Sequence, residues 1–112
     1  MSQKAELEEL RSLAFGSISG TYAAVGSQFV NRCRIICFTN NTDGDMLFTR
    51  YTDKDEIFIP AGSFKLFDIT TNARTTNRDD LVFAIGTRWY VKQSTAPTEG
   101  AVYLETIYAS ET

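Results

Sequence analysis

From Thr21 to the C-terminus the chain shows no helical period, and this limits its fold more than any other feature. Short apolar runs rich in β-branched and aromatic residues stand there instead, each closed by a cluster of turn formers. Such runs suit pleated, half-buried surfaces, and a spacing of about 8 to 12 residues is that of an all-β sandwich or barrel. Eight candidate strands follow, at residues 21–25, 32–39, 46–51, 56–59, 63–69, 81–85, 88–93 and 101–108. The separators are chemically apt. Asn40 to Asp45 is dense in side chains that satisfy turn backbones or tolerate positive φ, and Thr52 to Asp55, Pro60-Ala61-Gly62 and Ala96 to Gly100 make further turns. The one long connection, 70–80, is polar and reads as either an exposed interaction loop or a mobile one.

Several runs alternate with period two. Phe64 and Leu66 oppose Ser63 and Lys65, Trp89 and Val91 oppose Tyr90 and Lys92, and Val102, Leu104 and Thr106 oppose Tyr103, Glu105 and Ile107. The expected fold is an eight-stranded antiparallel β-sandwich, jelly-roll-like in strand number, with a short N-terminal helical arm. The arm is read from Leu7, Leu10 and Ala14, which fall on one helical face, with Glu6, Glu8, Glu9 and Arg11 elsewhere. Gly16 to Gly20, with two glycines and two serines, then makes a joint, which divides the chain into an arm at 1–19 and a sandwich at 20–112. A helix this short is marginal alone in water, so it needs a surface, either on its own sandwich or on another subunit.

With 112 residues the chain makes one domain, large enough to bury about two-thirds of its unfolded surface without metal or disulfide staples. Eleven basic against fourteen acidic residues give a net charge of −3, which disfavours nucleic acid or an anionic membrane as partner. No run approaches the ~18 apolar residues of a membrane span. The polar start, Met1-Ser2-Gln3-Lys4-Ala5-Glu6, lacks the apolar run of a secretory signal and reads as a cytosolic product.

The chain contains no histidine, which removes Ser-His-Asp and Cys-His chemistry and the usual general base. Cys33 and Cys37 lie four apart in one extended run, about 13 Å by strand rise, twice the reach of a disulfide. Alternation places both on one face with Ile35, as buried structural thiols, and two cysteines without histidine do not make a zinc site. The carboxylate groups Asp43 with Asp45, Asp53 with Asp55 and Glu56, and Asp79 with Asp80 sit nearly all in expected turns and mark no glycosidase cleft. Asn41 to Asp45 offers hard oxygen ligands, yet its spacing is not that of an EF-hand and a hairpin turn accounts for it. Asn40-Asn41-Thr42 matches the glycosylation pattern, which stays unmodified in a cytosolic product. Phosphate-cradling glycine loops do not occur, and Arg32 and Arg34 beside aromatics read as salt-bridged strand residues rather than a base-stacking platform. No cofactor is expected, and the chain is expected not to be an enzyme.

The stretch from Leu10 to Ser19, followed by Thr21 to Gly26, Phe38 to Phe48, Pro60 to Asp68, Ile85 to Gln93 and Pro97 to Tyr103, resembles small virion structural proteins of tailed bacteriophages. The resemblance implies a non-enzymatic part of the particle, made in the host cytoplasm and assembled onto the virion. Its leading form is a capsid decoration, or cement, protein that bridges major capsid subunits, oligomeric in the particle. The alternatives are a head-tail connector, neck or tail accessory protein, and a carbohydrate-binding module stacking sugars on Trp89 and Tyr90. Leu7, Leu10, Leu13 and Phe15 are the expected arm contacts, with Asp43, Arg74 and Arg78 in a second contact zone. Deleting residues 1–15 is expected to leave a folded sandwich that no longer binds capsids.

Overall fold

The computed structural model describes residues 3–68 and 83–111 of the chain. Its described residues form nine strands: β1 Gln3–Leu7, β2 Arg11–Ala14, β3 Ala23–Ala24, β4 Cys33–Thr42, β5 Met46–Thr49, β6 Ile57–Ile59, β7 Phe64–Asp68, β8 Tyr90–Gln93 and β9 Gly100–Glu111. They build two antiparallel sheets. One has the order β1-β9-β4-β7 with β2 also on β9, and the other the order β3-β8-β5-β6. The fold is an all-β sandwich, as the short runs and turn clusters require. The sixth candidate strand, 81–85, leaves only Phe83 in a single bridge to Cys33, with residues 81 and 82 outside the described set.

The N-terminal helix is not formed. Residues 3–7 and 11–14 are strands paired antiparallel to β9, and the only helical turn nearby is the 3₁₀ turn Phe15–Ser17. Two terms decide this. A single short helix gains little in water, whereas the twelve-residue β9 presents an open edge whose N–H and C=O groups need partners. The helical spacing itself has a strand explanation. Leu7 opposes Ile107 and Arg11 opposes Leu104, so four steps on one side match three on the other. That extra residue flips the strand between faces, turning Leu7 outward and Arg11 and Leu13 inward.

The core lies between the sheets and is aromatic at its centre. Phe38 of β4 packs on Phe48 at 5.2 Å between ring centroids, edge-on to Trp89 at 4.7 Å and to Phe67 at 5.7 Å. Val91, Val102, Leu104, Ile36, Met46 and Ile59 surround it, each 1% exposed or less. Val91 on β8 and Val102 and Leu104 on β9 point inward as the alternation requires, and Trp89 is core at 3% exposure.

One polar residue joins the layers. Asn40 is fully buried; its Nδ2 donates to the carbonyls of Gly44 and Ile59, and its Oδ1 accepts from Thr42 N and Oγ1. All its hydrogen-bonding capacity is spent inside the fold, so the amide in the Asn40-Asn41-Thr42 pattern is not available to an acceptor reaction. Next to this turn Gly100 opens β9 at φ +94°, where a Cβ would stand 2.0 Å from the Asn41 carbonyl oxygen. Only glycine fits there.

The register of β4 corrects the cysteine reading. A bulge between Cys33 and Ile35 shifts the face, so Cys33 enters the core while Ile35 and Cys37 stay on the outer side. Both thiols are free, and burial pushes the Cys33 thiol up to about 11.

Candidate functional site

Three regions carry chemistry: the outer face of the five-stranded sheet, an ion pair under the N-terminal strands, and a cavity beside β5 and β8.

The outer face follows from register. Leu7, Ile107 and Ile35 stand in one cross-strand row, Glu105, Cys37 and Leu66 in the next, and Tyr103, Thr39 and Phe64 in the third. An open antiparallel sheet ordinarily shows water its polar side. Here Leu7 is 66%, Phe64 65% and Leu66 59% exposed, with Ile35, Cys37, Tyr103 and Ile107 half-buried between them. Apolar side chains thus run from the β1 edge to the β7 edge, with Glu105 and Asp68 as the acidic members of the three rows.

Under β1 and β2, Arg11 is buried with Glu8, Nη2 to Oε1 at 2.8 Å. The guanidinium also donates to the carbonyls of Ser27 at 2.6 Å and Gln28 at 3.0 Å, and it lies 5.0 Å from the Phe29 ring centroid. Glu8 Oε2 accepts from the backbone N–H and side-chain Nδ2 of Asn31. Burial pushes the Glu8 carboxyl up, but the hydrogen bonds from Arg11 and Asn31 outweigh it and hold the carboxyl below its usual range. This pair ties the first strands to the 27–31 loop.

The cavity is about 400 Å³ and is walled by Arg50, Tyr51, Phe83, Arg88 and Tyr90 and the Ala84–Thr87 turn. Arg50 sits in an aromatic box, its guanidinium carbon 5.2 Å from the Tyr51 centroid, 5.7 Å from Phe83 and 5.6 Å from Trp89. Its Nε and Nη2 bond Glu56 at 3.1 and 2.6 Å. The Arg50 hydrogen bonds lower Glu56 to about 2, and the same pairing raises Arg50. Trp89 Nε1, buried behind the box, has no hydrogen-bond partner among the described residues. The geometry offers cations, phenols and ring faces, and among the described residues that line it no nucleophile stands against a base.

The expected contact residues do not form one site. Leu7 is on β1 and exposed, Leu10 is exposed in the link to β2, Leu13 packs against the core, and Phe15 is 39% exposed at the 3₁₀ turn. Leu7 and Ala14 oppose residues 107 and 101 of β9, which sets these ends about 20 Å apart at ~3.3 Å per residue. Asp43 is a turn staple: it accepts from the Thr98 N–H at 2.6 Å, the Thr98 hydroxyl and the Glu99 N–H, and the Thr98 bonds hold its carboxyl below the usual range. Arg74 and Arg78, with the long polar connection, lie outside the described residues. Sequence reasoning missed Arg50, Arg88 and Phe64 as surface features. Phe64 and Leu66 carried a signal in their alternation with Ser63 and Lys65, but that pattern does not say which face is the core.

No protein-family model matches the chain, and no curated protein matches it. Among solved structures it is similar to the Anabaena sensory rhodopsin transducer at 15% identity and a TM-score of 0.31, covering 84% of this chain and 98% of that one. That likeness is too distant to bear on fold or function. No helix among the described residues is long and apolar enough to cross a membrane.

Proposed function

We propose that this protein is a non-enzymatic structural subunit of a tailed-bacteriophage particle, a capsid decoration protein that bridges major capsid subunits. The observation that supports it is the apolar outer face from Leu7 to Phe64 and Leu66. Contiguous exposed apolar rows of this kind mark protein–protein contacts, and burying them on a lattice stabilises that lattice by mass action over many copies. The N-terminal contribution changes in kind. Leu7 acts as part of a sheet surface, and Leu13 serves the fold.

Deletion of residues 1–15 is therefore the wrong test, because it removes Arg11 and Leu13 from the body. The Leu66→Glu variant is the right one, since Leu66 is 59% exposed and its loss leaves the core intact. Co-sedimentation with empty heads is expected to fall at least tenfold for Leu66→Glu while the fold is kept. Full occupancy by that variant overturns the proposal.

A further inference from the structure

The cavity at Arg50 and Arg88 differs from the ion pair under the N-terminal strands in leaving several of its donors unspent. Arg88 uses only Nε, on the Gly26 carbonyl at 3.1 Å. Both its Nη atoms, the Nη1 of Arg50 and the hydroxyls of Tyr51 and Tyr90 make no hydrogen bond among the described residues. Among the described residues no carboxylate lines the cavity, although the chain as a whole carries −3. Lys54 lies 5.1 Å from the Tyr51 centroid but is paired with Glu56 at 3.9 Å, so the two arginines are the cations that line the cavity.

Size decides what kind of anion fits. About 400 Å³ is the room of roughly thirteen waters at ~30 Å³ each, inside the range of small-molecule sites. A lone aspartate or glutamate side chain, or a bare phosphate, leaves most of it unfilled and most donors unmet. A six-membered sugar ring bearing a carboxylate answers each feature: the carboxylate for the unspent guanidinium donors of Arg88 and Arg50, hydroxyls for the two phenols, and an apolar ring face for the tyrosines. Trp89, which only the carbohydrate-binding alternative set against such a ring beside Tyr90, is buried in the core, and the aromatic side chains that line the cavity are Phe83, Tyr51 and Tyr90.

We propose that this cavity is a binding site for an acidic monosaccharide unit, independent of the assembly surface on the other sheet. The test is titration of the full chain, followed by NMR shifts, with glucuronate, galacturonate and N-acetylneuraminate. Glucose, galactose, inorganic phosphate and a triglutamate peptide are the comparison ligands. The expected result is that at least one acidic sugar binds ten or more times tighter than its neutral counterpart and than phosphate or the peptide, with shifts centred on Tyr51 and Tyr90. Arg88→Gln is expected to weaken it at least tenfold, and Tyr51→Ala, at a half-exposed position, to weaken it severalfold with the fold intact. Equal binding of the neutral sugars, tighter binding of phosphate or peptide, no binding of any acidic sugar, or an unaffected Arg88→Gln variant overturns the proposal.

Discussion

Arg11 and Arg50 are both paired with a glutamate and both lie against aromatic rings, yet they stand in opposite conditions. Arg11 is 5% exposed and spends its guanidinium on Glu8, two loop carbonyls and Thr106. Arg50 has 35% of its side chain exposed, spends two donors on Glu56 and keeps Nη1 beside an open cavity. A saturated, buried pair acts as a stitch, because removing one member strands the other without water. An unsaturated pair at a cavity wall keeps donors for something else.

The largest effect that tests this contrast is at Arg11. Replacing it by Met leaves the Glu8 charge and two loop carbonyls without their partner, and the expected cost is about 3–5 kcal/mol in chemical denaturation. In the double variant with Glu8→Gln the loss is expected to be smaller than the sum of the single losses, which identifies a coupled pair. Additive losses contradict the stitch. Glu56→Gln comes next, at about 1–2 kcal/mol, because Arg50 stays partly hydrated.

Acid should separate the two pairs further. Glu56 titrates near 2 when folded against an ordinary 4.5, so the folded state binds fewer protons in that window. Its stabilisation is fully present above pH 4.5 and is lost as pH falls toward 2. Stability of the Glu56→Gln variant measured over this window is expected to fall less steeply than that of the parent; an identical slope contradicts the assignment. The smallest effect on stability is at Arg88, where Gln should change it by less than about 0.5 kcal/mol while acting on ligand binding. A large loss there makes Arg88 a second stitch.

Much of the body was legible in sequence, and the reason is local. Strands at 88–93 and 101–108 carry their alternation in neighbouring residues, and the turn residues Asn40 to Asp45 act within their own hairpin. The N-terminal segment was not legible, because its Leu7, Leu10 and Ala14 spacing satisfies a helix and a bulged strand alike. Only the open edge of β9, nearly a hundred residues away in the chain, distinguishes them. The Arg50 cavity was hidden for the same reason, since its walls come from residues 50–51 and 83–90, which no local pattern connects.

The sequence alone determined that the chain builds antiparallel sheets from short aromatic strands without histidine chemistry, since period, turn formers and residue types are local properties. Tertiary structure alone decided which side of β1, β2 and the start of β4 became core. Single-residue bulges at Cys33/Ile35 and between Leu7 and Arg11 invert every side chain beyond them, sending Cys33 and Arg11 inward and leaving Leu7 and Cys37 outside. A bulge exists only between two strands, so its position is a property of the pairing.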